Sequence, residues 1–163
     1  MKKMIAALFA STIMATANAG GLVQVLDNEA DDALMYIDLD SVTGTKNQVL
    51  GGAIGELYVS AIIRIDILEG SPLKTAEDVN YIAQNWVISC NDNSYYKLAS
   101  SSYGSNGNLI SSFRMGDDIP LKSQFTLSSQ TNDTERAVTM AINLACNKYL
   151  EDNPAPHFIK FQG

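Results

Sequence analysis

Asn85-Trp86-Val87-Ile88-Ser89-Cys90 holds the only tryptophan of the chain and one of its two cysteines. Together with the preceding Tyr81-Ile82-Ala83-Gln84 it reads as an extended strand. In a strand, side chains alternate between faces, so Ile82, Gln84, Trp86, Ile88 and Cys90 share one side. The segment is expected to be a buried strand that ends in a half-cystine. The other cysteine, Cys146, lies in the best helical pattern of the sequence, where Val138, Ala141, Ile142, Ala145 and Tyr149 recur at helical spacing. Strand and helix together decide the fold.

The two cysteines are expected to pair because the N-terminus predicts export. Met1-Lys2-Lys3 is followed by the short apolar run Met4–Ala10 and by Thr16-Ala17-Asn18-Ala19. A basic start, a short apolar core and an Ala-x-Ala site are the parts of a secretory signal peptide, here residues 1–19 with cleavage after Ala19. The apolar run is shorter than the roughly 20 residues that a membrane-spanning helix needs. No cysteine stands near the cleavage site to carry a lipid, so a soluble periplasmic, secreted or cell-surface protein without a lipid anchor is expected. In an oxidising compartment two cysteines form one disulfide. Closing the roughly 57-residue loop between them restricts the unfolded chain by about 4 kcal/mol in the chain-entropy model.

Cleavage leaves residues 20–163 as a single domain, with its core expected over 34–150 and a tail at 151–163. Losing Lys2 and Lys3 takes the formal net charge from −7 to −9. An acidic chain with no run of basic residues argues against a nucleic-acid or anionic-membrane partner, because both demand clustered lysine and arginine.

Working outward from Trp86, the residues predict a meander. Gly20–Leu26 is an edge strand or a loose arm. Leu34–Leu39 is a strand that leads through Asp40, Ser41 and Val42 into a polar turn at 43–48. The apolar stretch from Val49 to Ile67 reads as one long strand, bent at Gly51, Gly52 and Gly55, since glycine in a strand marks a bulge or bend. Residues 73–79 form a loop or a helical turn with Thr75 as a cap. Tyr95–Tyr103 and Leu109–Met115 form a hairpin about an Asn-Gly loop, which supplies positive φ at low cost. A turn at 116–120 and short extended structure at 125–127 precede the helix. Thr131 is its candidate N-cap, with Asp133 and Glu135 complementing the helix dipole. The helix ends near Leu150, ahead of Pro154 and Pro156; His157–Phe161 is a last strand or a mobile tail. The fold class is therefore α+β: an antiparallel sheet of about five or six strands with one C-terminal helix packed on it.

Catalytic signals are weak. Asp38 and Asp40, two apart in a strand, share a face as a paired carboxylate site would, but aspartates are ordinary at a strand end. His157 is the only histidine, and no serine sits in a G-x-S-x-G elbow. There is no CxxC, so neither a metal nor a cofactor is expected. Gly51-Gly52-Ala53-Ile54-Gly55 lacks the Lys-Ser/Thr of a phosphate loop. The sequence thus predicts a non-enzymatic protein. Tyr95, Tyr96 and Tyr103 lie in one serine-rich hairpin, a composition favoured at recognition surfaces. They are the candidate partner-binding residues.

The Trp86–Cys90 strand, the tyrosine-rich strand after it and the cysteine-bearing helix resemble the bacterial surface-adhesin protein E family. Met35-Tyr36-Ile37-Asp38-Leu39-Asp40-Ser41-Val42 is similar to that family's early "Tyr-Ile-Asp…Ser" strand. The resemblance covers about residues 34–150. It implies an antiparallel sheet clipped to a C-terminal helix by the Cys90–Cys146 disulfide, homodimerisation, and binding of host proteins such as vitronectin or laminin. Two features depart from the pattern: this chain has no cysteine to lipidate, and it is acidic. The alternative is a periplasmic, envelope-associated protein with no host contact.

Overall fold

Each strand of the sheet is followed in space by the next strand of the chain. The computed structural model describes residues 21–28, 33–45, 49–53, 55–71, 74, 78–115, 120–129 and 131–154. Six strands, β1 (Leu22–Asn28), β2 (Ala33–Gly44), β3 (Tyr58–Ile67), β4 (Val79–Ser89), β5 (Ser94–Gly104) and β6 (Leu109–Arg114), lie side by side in that order. All neighbours pair antiparallel. A two-residue strand, β7 (Thr126–Leu127), pairs with the start of β5 where β6 does not reach. One helix follows, α1 (Asp133–Asp152). The fold is thus the expected antiparallel sheet with a C-terminal helix.

Turn chemistry sets the meander. Asn93, between β4 and β5, takes φ 55°, a left-handed conformation that asparagine tolerates. Gly107, between β5 and β6, takes φ 77°, and the Asn108 amide donates to Asn106 Oδ1 at 3.1 Å.

The core lies between α1 and one face of the sheet. Met35 and Ile37 of β2, Val59, Ala61 and Ile63 of β3, and Trp86 and Ile88 of β4 meet Ala137, Val138, Ala141, Ile142, Ala145 and Cys146 of the helix. Trp86 is 2% exposed and donates its indole N–H to Gln84 Oε1 at 3.0 Å, which satisfies the one polar atom of the ring. Cys90 and Cys146 form the disulfide, with Cα atoms 5.8 Å apart. The helix is therefore bonded to the sheet just beyond the end of β4.

Several boundaries differ from the sequence expectation. The helix N-cap is Asn132, not Thr131: Asn132 is extended and its side chain accepts the Glu135 amide at 2.8 Å. The Thr131 and Ser129 hydroxyls donate instead to the Glu135 carboxylate. The helix runs to Asp152, two residues beyond Leu150. The glycine stretch is not strand. Gly51 and Gly55 take φ 78° and 90°, conformations that leave the β region and that glycine adopts freely, so β3 begins only at Tyr58. β2 continues to Gly44, two residues into the expected turn, through an irregularity between Asp38 and Thr43. The expected features at Thr75, at 116–119 and at 157–161 lie outside the described residues.

Among the described residues, the second face of the sheet is covered at one end only. There Leu50 and Leu121 bridge two loop segments, and the 120–127 segment meets Tyr58, Ser94 and Tyr96. Phe125 meets Tyr58 and Tyr96, each with ring centroids 5.9 Å away. Val87, Ser89 and Ser94 of the sheet and Pro120 of the flap are buried.

Candidate functional site

The uncovered end of that face holds the site. Residues of β2, β3, β4 and β5 that alternate with the core positions point away from α1 here. Leu22, Asp38, Ile62, Arg64, Tyr81, Ala83 and Tyr103 line a shallow cavity of about 250 Å³. Ile62, opposite Asn85 on β4, is 40% exposed, so a large aliphatic side chain stands in solvent at the centre of the sheet.

One wall is a stack of three groups across three strands. Arg64 of β3 lies over the Tyr81 ring, 4.1 Å from its centroid. Tyr81 of β4 stacks on its register partner Tyr103 of β5, centroids 4.7 Å apart and planes 9° from parallel. Cross-strand pairs of this kind stabilise a sheet by a few tenths to about 1 kcal/mol each. Arg64 is held further by Asp66, with Nε to Oδ1 at 2.6 Å and Nη2 to Oδ2 at 3.3 Å. Its charge and one face of its guanidinium are therefore already engaged. The opposite wall is Asp38, whose Oδ1 accepts the Asp40 amide at 3.0 Å. Asp38 forms no ion pair with a described residue.

The three candidate tyrosines do not come together. Tyr103 belongs to this wall. Tyr95 points to the helix side and stacks on Trp86, with centroids 4.3 Å apart and planes 19° from parallel. Burial, with a contribution from the Glu135 charge, raises its phenol above the ordinary value. Tyr96 faces the flap and packs on Phe125. Adjacent residues on a strand face opposite ways, so one composition-rich stretch necessarily serves two surfaces. Tyr81 and Arg64, the other two members of the wall, carry no composition signal in the sequence. The signal that finds them is register: both alternate with core positions and sit beside one another once the strands are aligned.

Asp38, in regular register opposite Ile62, lines the cavity, and the Asp40 carboxylate sits against Gly21 at the edge of the sheet. A Cβ at Gly21 would come within 2.5 Å of it.

The arrangement nearest to a catalytic one is Ser94 with Lys122. Lys122 Nζ donates to Ser94 Oγ at 3.0 Å, and Ser94 donates to Asp92 Oδ1 at 2.6 Å. Lys122 also pairs with Asp92 Oδ2 at 2.7 Å and lies over the rings of Tyr58 and Phe125. Here Lys122 Nζ is tied to Asp92 and lies over two rings, and Ser94 is 1% exposed, so neither group opens to a substrate. The cluster fastens the 120–127 flap to the β4–β5 turn. Burial pushes the Asp92 carboxyl up, but the Lys122 and Ser94 hydrogen bonds outweigh it and hold it at about 2. Tyr58 donates to Glu56, and its phenol is raised by burial first and by that carboxylate second.

Among the described residues, no three His, Cys, Asp or Glu side chains converge as a metal site requires, and no helix is long and apolar enough to cross a membrane. A larger depression of about 370 Å³ runs along α1 from Arg136 to Asn147, but all its described walls belong to that one helix. Arg136, its one charged group, is paired with Asp133.

No known protein family, curated protein or solved structure matches the chain.

Proposed function

We propose that the chain is an exported, non-catalytic binding domain that engages a protein partner through the open end of its sheet. One observation carries this reading. A single-layer sheet leaves Ile62 in solvent beside a wall of Arg64, Tyr81 and Tyr103 whose members hold one another in place. Rigid aromatic and arginine groups around an exposed aliphatic centre are the composition of interface anchors. The resemblance of residues 34–150 to the surface-adhesin protein E family adds the class of partner: host matrix or serum proteins such as vitronectin or laminin. Surface plasmon resonance of the protein against these two tests it. Binding to either that weakens in Tyr103→Ala supports the reading; silence against both at micromolar concentration removes the adhesin version.

The second reading is a periplasmic envelope-associated domain without host contact. Cell fractionation with surface labelling separates the two.

A further inference from the structure

The cavity on the open face also has a chemistry of its own, and it narrows the partner. We infer that it takes a lysine side chain presented by an extended segment of the protein partner. This rests on the binding-domain reading above.

The argument begins with charge. Two acidic groups and one basic group lie at the cavity: Asp38, Arg64 and, behind Arg64, Asp66. Arg64 and Asp66 cancel, with two nitrogen–oxygen contacts between them. Asp38 is left as the charge that faces the opening without an opposite charge from any described residue. The chain as a whole is at −7, so the long-range field also favours a cation. Between Asp38 and the aromatic wall the lining is aliphatic, Ile62 and Ala83, and Leu22 flanks Asp38 on its other side. An apolar lining leading to one carboxylate matches a side chain with an apolar stem and a cationic end.

Lysine fits better than arginine for a geometric reason. A guanidinium binds a carboxylate through two parallel hydrogen bonds, one to each oxygen. Asp38 Oδ1 already accepts the Asp40 amide, which leaves Oδ2 as the oxygen with both lone pairs open. An ammonium is a compact point charge and needs one oxygen only. Tyr81 offers no free face for an additional cation, since Arg64 covers one side and Tyr103 the other. Recognition therefore falls to Asp38. The inference also reconciles an acidic domain with a matrix-type partner: the basic residues belong to the partner.

The test is an amide NMR titration of the protein with three acetylated, amidated tripeptides that have lysine, arginine or uncharged norleucine between two leucines. The lysine peptide is expected to perturb the amides of Leu22, Asp38, Ile62 and Ala83 and to bind more tightly than the other two. Asp38→Asn keeps the acceptor for the Asp40 amide and removes the charge, and is expected to weaken the lysine peptide about tenfold. Equal binding of the norleucine peptide at the same residues overturns lysine recognition and leaves the binding face standing. Perturbations scattered over the acidic surface, or an Asp38→Asn protein that binds as the parent does, overturn the inference. Loss of partner capture in Tyr103→Ala is a separate readout. If it occurs while the lysine peptide does not bind, only the lysine inference fails.

Discussion

Tyr81 and Tyr103 lie ring on ring at 4.7 Å, and the same two strands place a second stack, Trp86 on Tyr95 at 4.3 Å, on the opposite face of the sheet. The two pairs are alike in geometry and opposite in setting. Trp86 is sealed beneath α1, whereas Tyr103 stands on the face the helix does not cover. One hairpin thus contributes an aromatic pair to the core and another to the surface.

Truncation should separate them. Trp86→Ala removes a fully buried ring and is expected to cost about 3–5 kcal/mol. Tyr103→Ala loses one partly exposed stack, on the order of 1 kcal/mol. Urea unfolding followed by circular dichroism measures both. Equal losses would mean that the open face is as tightly packed as the core.

The disulfide joins α1 to the sheet across a sequence separation of 56. Replacing both cysteines by serine is expected to lower stability by about 2–5 kcal/mol, read as a fall in Tm by calorimetry. An unchanged transition would show that helix packing alone holds α1 in place.

Asp92 predicts an acid-dependent contribution from the flap. Its carboxyl is held at about 2, below the ordinary value of 3.8. A depressed carboxylate contributes stability that is fully present above the unfolded pKa and is lost as pH falls through the folded one. The window is therefore about pH 4 to 2. Because the Asp92 side chain is 39% exposed, the contribution is discounted to on the order of 1 kcal/mol. Asp92→Asn should flatten this part of the acid limb in urea midpoints measured across the window. A parallel limb would show that the Lys122 pair does not contribute.

Much of the fold was legible because its signals are local. The alternation around Trp86 located the core strand, Asn106-Gly107 located a hairpin, and the spacing from Val138 to Tyr149 located the helix. The glycine stretch was misread because apolar residues around Gly51 and Gly55 resemble a bent strand. The turn there depends on φ values and on the Leu50–Leu121 bridge, which is a long-range contact. The site was less legible still. Of its wall, only Tyr103 belonged to a compositional cluster. Arg64 and Tyr81 come beside it through register between strands.

The most direct test compares two exposed aliphatic positions. Ile62, 40% exposed, lies at the centre of the open face; Leu127, 67% exposed, lies on β7 at the sheet edge. Affinity for immobilised vitronectin and laminin is measured by surface plasmon resonance for the parent, Ile62→Asp and Leu127→Asp, with matching thermal transitions to confirm folding. The account predicts that Ile62→Asp weakens binding at least tenfold, as loss of a central interface anchor does, while Leu127→Asp binds as the parent does. Binding that survives Ile62→Asp in a folded protein would contradict it.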